Sequence, residues 1–179
     1  MAVFKIRIIG DPILRERAKE VDSLTPDIIK TFSHMVDTML AYRGLGLAAP
    51  QIGKSLRLIT INRNALDVGN DPLLLMNPEL VYEEGEDISE EGCLSLPGLY
   101  TDLKRAEKVT VRALEVVNNR VKPVEIKAEG LFARALLHEI DHINGILFID
   151  RLPLKERIFL LAKWKKELRE GKIQKGEEY

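Results

Sequence analysis

Cysteine is almost missing from this chain of 179 residues: Cys93 stands alone, so no disulfide can form within it. Histidine is nearly as scarce, with only His34, His138 and His142. No apolar run reaches the roughly 18–20 residues that a bilayer-spanning helix needs. The opening stretch "MAVFKIRIIGDPILRERAKEV" has neither the long apolar region of a signal peptide nor the Arg/Ser bias of a transit peptide. Neither sign of charge prevails: 27 basic residues face 28 acidic ones, a net charge of −1. That balance argues against a general nucleic-acid binder. Internal repeats and low-complexity segments are also lacking. These absences leave the expectation of a cytoplasmic protein that works without membrane or DNA.

What is present suits one domain spanning residues 1–179, since 45% hydrophobic content can fill one substantial core. The stretch "TPDIIKTFSHMVDTMLAYRGLG" predicts an amphipathic helix, with Thr25 as cap, Pro26 in the first turn and Gly44 as stop. Ile28, Ile29, Phe32, Met35, Val36, Met39 and Leu40 recur at helical spacing and should face the core. His34 falls off that stripe and is expected at the surface. From Leu56 to Ile126 the pattern changes to strands: "LRLITI", "LLLMNPELVYEE", "KVTVRALEV" and "KPVEIKAEG", separated by turn clusters. With no helix-length segments between them, hairpins and a meander fit better than parallel crossovers. A second helix should run from Gly130 through "LFARALLHEIDHIN" to Gly145. A third should begin near Pro153, with Asp150 as a possible cap, and continue to Gly171. Its apolar face (Leu154, Ile158, Leu161, Leu168) lies among many lysines and arginines. The fold class is therefore α+β: one domain, antiparallel or mixed sheets packed around a central His-Glu-x-x-His helix, and a C-terminal helix.

On the second helix each residue advances about 100°, so His138 and His142 lie one turn apart on the same face. Extending that face backwards reaches Ala135 and Leu131, while Leu136, Ile140 and Ile143 should pack into the core. Two histidines inside His-Glu-x-x-His on an apolar helix point to a metal. Glu139 and Asp141 flank the histidine face, and the wheel alone cannot say which handles water. The pattern assigns the acid/base role to Glu139, leaving Asp141 to orient a histidine or pair with a cation. A third ligand must be found elsewhere. No histidine follows His142, and Asp150 lies beyond "NGILFI"; upstream stand Tyr82, Glu90, Glu91 and Cys93. Cys93, in "SEEGCLSLPG", sits beside Gly92, and a glycine there lets the backbone come close to whatever the thiol holds. A thiolate with two imidazoles would leave a fourth tetrahedral position open for water, which favours Cys93. The segment "GLGLAAPQIG" does not follow a strand and open a helix, so it is a poor dinucleotide fingerprint. It reads instead as a bare backbone edge leading to the Gln51 amide. Such an edge can bind an extended peptide, and the amide can donate to a developing oxyanion.

Together "GLGLAAPQ", "EGCLS" and "HEIDH", intact and in order, resemble the signatures of the peptide deformylase family. The resemblance extends to "GDPILRERAKEV" and "NGILFIDRL", and so covers most of the chain. It implies an enzyme that removes the formyl group from the N-terminal formylmethionine of new polypeptides. Cys93, His138 and His142 would bind the metal, and water activated there with help from Glu139 would attack the formyl carbonyl. The Leu94 backbone N–H and the Gln51 amide would stabilise the oxyanion. The backbone around Leu45 and Gly46 would bind the substrate peptide as an added strand, Gly92 would also contact the substrate, and the Leu131/Ala135 end would take the methionine side chain. The family usually works with iron(II), while zinc, nickel or cobalt can occupy the site, and the ligand set does not choose among them. In an enzyme of nascent polypeptides, the basic C-terminal helix could touch the ribosome. One departure is visible: some members place an arginine where this chain has Tyr100. Arg105 remains available and is expected to pair with Glu91 or Asp141. The rival readings are a zincin-like metallopeptidase, which shares His-Glu-x-x-His, and a non-enzymatic metal-stapled binding module.

Overall fold

The computed structural model describes residues 2–173. Helix α1 spans Pro26–Ala41 and begins as its sequence requires: Thr25 Oγ1 accepts from Ile28 N–H at 3.2 Å, and Pro26 occupies the first turn. Its buried stripe is Ile28, Thr31, Phe32, Met35, Thr38 and Met39. The two threonines hide their hydroxyls by donating to the carbonyls of Asp27 and His34, so they share the inner face with the apolar residues. Leu40, expected in the core, lies about 100° beyond Met39 and is 51% exposed. His34 is half-buried rather than fully at the surface, its ring 4.8 Å from that of Phe4.

The central sheet has the order β1 (Gly46–Ala48), β2 (Leu58–Ile61), β3 (Leu73–Glu84), β6 (Lys108–Val117) and β7 (Arg120–Glu129), antiparallel throughout. Every residue of β2 is buried because helices cover both faces of the sheet there. Ile59, Ile61, Leu73, Leu75, Val109 and Val111 face helix α2 (Gly130–Ile143), while Leu47, Leu58, Met76 and Val116 join the α1 side. The register of β3 against β6 slips after Met76. Asn77 takes a left-handed φ of 50° there and exchanges two hydrogen bonds with the Val21 backbone, and Pro78 has no N–H to give the ladder.

The expected meander is interrupted. β4 (Asp87–Cys93) and β5 (Leu96–Arg105) form a separate antiparallel hairpin. Its apolar side joins Phe148, Ile149 and Trp164 in a third core. Helix α3 spans Leu154–Arg169, and of its side chains only Trp164 is fully buried, its indole N–H donating to the Pro97 carbonyl. Leu161 and Leu168 are half-buried as expected of the apolar face, but Leu154 and Ile158 are each 59% exposed, because the helix rests on the hairpin through its Leu160/Trp164 side. Asp150 does not cap α3. Its carboxylate accepts from Leu147 N–H within the short turn Phe148–Arg151 and pairs with Arg15. The last part of the basic segment, from residue 174 onward, lies outside the described residues. Among the described residues no helix is long and apolar enough to cross a membrane.

Helix α2 is the axis of the site. From Ala133 to Ile143 every residue is buried, and it packs on β1, β2, β3, β6 and β7. Gly145 ends the segment at φ 73°; a Cβ there would lie 2.6 Å from the Arg15 carbonyl oxygen, so the turn admits only glycine. Near the start of the chain an extended strap ties two loops together. Arg7 N–H donates to the Gln51 carbonyl at 2.8 Å and Ile9 N–H to the Ser95 carbonyl at 2.9 Å.

Candidate active site

The wheel of α2 places His138 and His142 as expected, with their Nε2 atoms 3.2 Å apart. Cys93, at the end of β4, puts Sγ 3.2 Å from His142 Nε2. These three residues form the one grouping of potential metal donors found among the described residues, all ligand atoms within 4.8 Å of one another. A tetrahedral ion bound at about 2.0–2.3 Å holds its ligand atoms roughly 3.3–3.6 Å apart, so the trio fits a single metal. Burial disfavours charge on both imidazoles. At His138 it is outweighed by Cys93 and Glu91, which hold the pKa well above the usual value. At His142 burial and the charge of His138 push it well below.

What orients His138 is Glu91, not Asp141. Glu91 Oε2 lies 2.7 Å from His138 Nδ1, which leaves Nε2 to face the metal position. Arg105 donates to both oxygens of Glu91, at 2.9 and 2.6 Å, and Arg134 donates to Oε1 at 3.0 Å. A carboxylate offers about four acceptor positions, so Glu91 is saturated and has none left for a metal. Its pKa is pulled below the carboxylate range: burial opposes charge, and Arg105 and His138 overcome it. Asp141 takes the second of its two expected roles, receiving Arg105 at 2.8 Å and Arg151 at 2.7 Å. Arg105 therefore pairs with both carboxylates proposed for it. Of the other upstream candidates, Tyr82 is exposed and donates to Glu84, and Glu90 is exposed at the cleft rim.

Glu139 sits on the opposite side of the histidine face and is treated differently. Its Oε2 is buried without a partner, and burial first of all raises its pKa to about 7. Gly46 explains how the β1 edge comes so close: a Cβ there would stand 2.9 Å from Glu139 Cγ. The Leu45 carbonyl accepts from Asn62 N–H, so by the alternation of an antiparallel ladder Gly46 turns its own N–H and carbonyl away from β2. Gln51 is buried with its Oε1 accepting from Ala48 N–H at 3.0 Å and its Nε2 donating to Ser95 Oγ at 3.1 Å.

A cleft of about 1040 Å³ joins these parts. Leu45, Gly46, Gln51, Gly92, Cys93, Leu94, Leu131, Ala135, His138 and Glu139 all line it, so every predicted site residue meets there except His142, which lies behind its floor and is 1% exposed. Tyr100 stands across the hairpin from Gly92, and a Cβ on Gly92 would fall 2.4 Å from its ring. The aromatic ring thus covers the glycine on the cleft wall. Sequence reasoning missed Ser95, the orienting role of Glu91, and Arg134. The last left a signal: a buried arginine one turn before His138 on an apolar helix demands a carboxylate.

Comparison with known proteins gives one consistent picture. Residues 3–157 match the family model described as polypeptide deformylase. The peptide deformylase of Carboxydothermus hydrogenoformans is 52% identical over 151 residues, 84% of this chain and 94% of that protein. The crystal structure of a peptide deformylase from Legionella pneumophila superposes with a TM-score of 0.85 at 45% identity, covering 95% of this chain and 98% of that one. A peptide deformylase from Ehrlichia chaffeensis in complex with actinonin gives a TM-score of 0.84 at 34% identity, covering 94% of this chain and 99% of that one.

Proposed function

The chain belongs to the polypeptide deformylase family, and from that premise we propose how its cleft removes the N-formyl group of nascent polypeptides. The observation that carries the mechanism is the trio of half-buried Cys93 with buried His138 and His142, beside a carboxyl, Glu139, with one unpartnered oxygen. The whole chain, residues 1–179, acts as one catalytic domain. The trio would hold a divalent metal, which would supply Lewis acidity for the hydrolysis when bound. In the cell the metal is iron(II), with zinc, nickel or cobalt able to take its place; a thiolate and two imidazoles accept all of these.

The protein's own groups do the rest. The substrate backbone adds to the free edge of β1 at Leu45 and Gly46, facing Gly92 across the cleft. Its methionine side chain enters toward Leu131 and Ala135. The Leu94 N–H and Gln51 Nε2 donate to the oxygen of the tetrahedral intermediate. Glu139, with a pKa of about 7, takes a proton from the attacking water and gives it to the leaving amine as formate departs. Glu91 keeps the His138 ring in one orientation throughout.

Formate release from a formyl-Met peptide, with and without a chelator, tests this reading. Chelator-sensitive release supports it; cleavage of internal peptide bonds instead would make the chain a metallopeptidase. Metal analysis of protein purified without oxygen tests iron. The enzyme works in the cytoplasm, where nascent chains emerge, and the lysines and arginines of α3 suit contact with ribosomal RNA. Equal pelleting with ribosomes before and after removal of residues 153–179 would exclude that contact.

A further inference from the structure

Ser95 is fully buried and touches three parts of the site. Its N–H donates to Cys93 Sγ at 3.4 Å, its hydroxyl accepts from Gln51 Nε2 at 3.1 Å, and its carbonyl accepts from Ile9 N–H at 2.9 Å. The Gln51 amide is thereby held at both ends. Ala48 N–H can only donate, so the atom facing it must be Oε1, and the –NH2 end must face Ser95. That –NH2 carries two hydrogens in the amide plane. Ser95 Oγ takes one, and the other is directed about 120° away. Cys93 Sγ lies 3.8 Å from Nε2, too far for a strong bond, which leaves the second hydrogen for an oxygen arriving beside the sulfur.

We propose that Ser95 is a positioning residue for deformylation: its hydroxyl fixes the plane of the Gln51 amide, so that the second N–H is aimed before substrate arrives. This role rests on the deformylase reading of the cleft. The terminal torsion of a glutamine is broad, and without the hydroxyl the amide can turn about it. A donor that must reorganise during the reaction stabilises the oxyanion less than one already in place.

The test uses the full chain loaded with metal, a formyl-Met tripeptide, and kcat and KM measured separately. Loss of a whole oxyanion donor typically lowers kcat about 10²–10³-fold. Ser95→Ala should lower it about tenfold, with KM within about twofold and metal content unchanged. Ser95→Thr, which keeps the hydroxyl, should recover most of that loss. In a Gln51→Ala background, adding Ser95→Ala should cost nothing more. An unchanged kcat in Ser95→Ala, losses that multiply in the double variant, or metal lost along with activity would each overturn the role. A wild-type chain that releases no formate would overturn the deformylase reading itself, and this role with it. An activity-free check guards against variants that fail to fold. The Gln51 side-chain amide resonances, identified by their loss in Gln51→Ala, should be distinct and slow to exchange in the wild-type chain. Their exchange with solvent should become faster in Ser95→Cys, whose thiol is a weak acceptor. Exchange that is already fast in the wild type, or that stays as slow in Ser95→Cys, would overturn the role.

Discussion

Two buried carboxylates lie beside His138, 7% and 4% exposed, and the protein treats them in opposite ways. Glu91 accepts four hydrogen bonds, three of them from arginines, and stays charged. Glu139 keeps an oxygen without a partner and is pushed by burial to about 7. The same acid at the same depth becomes a fixed charge in one place and, in the mechanism proposed above, a proton carrier in the other. Partners, more than depth, decide which.

The largest way to break this contrast is at Glu139. Glu139→Gln keeps the shape but removes the proton carrier, and kcat should fall by about 10²–10⁴ while elemental analysis finds the metal still bound. Near-normal turnover would mean that the acid/base group is elsewhere. Next comes Glu91→Gln, which leaves the buried charge of Arg134 without its main partner and half-frees Arg105. Urea unfolding should show a loss of about 3–5 kcal/mol, and competition with a chelating dye should show metal held about 10–100-fold more weakly. A loss below about 1 kcal/mol would mean that Asp141 and Asp87 satisfy the arginines unaided.

The pH dependence of the metal-free protein sharpens the comparison further, because the two carboxylates act with opposite sign. Glu139 has a folded pKa of about 7 against an ordinary 4.5. The folded state therefore holds a proton that the unfolded chain has lost, and this contribution makes stability fall as pH rises through that window, by roughly 3 kcal/mol. Glu91 has a lowered pKa, so its stabilisation is complete above about 4.5 and is lost as pH falls through the folded value. Relative to wild type, Glu139→Gln should gain stability toward high pH and Glu91→Gln should lose it. Unfolding curves whose differences slope the same way would end the distinction. The smallest effect belongs to the outer end of the network: Arg151 is half-exposed, and Arg151→Ala should cost less than about 1 kcal/mol.

How far the sequence revealed these two environments follows from what periodicity can report. Apolar spacing put Leu136, Ile140 and Ile143 in the core and both histidines on one face, and all of them stand there. Helix α2 and strand β3 were legible almost to their ends because their patterns are long. Periodicity names a face, however, and not the partner across from it. Nothing in "DISEEGC" distinguishes the saturated Glu91 from the exposed Glu90 beyond a period of two, and the hairpin carrying them was not expected. Leu154 and Ile158 were misplaced for the same reason: a helix can have an apolar stripe and still rest on its neighbours through another side. Ser95 closes the "EGCLS" signature, but nothing in its spacing says that its hydroxyl meets Gln51.

The strap at the start of the chain bears on how this site can tolerate sequence change. What residues 7 and 9 contribute to the Gln51 and Ser95 loops is a pair of peptide N–H groups, which nearly every amino acid carries. Side chains at those two positions can drift as far as local packing allows without loosening the Gln51 and Ser95 loops. Proline alone has no such group. Variation along this strap should therefore be wide in chemistry yet closed to one residue, a pattern that a survey of tolerated substitutions would reveal without any assay of the chemistry.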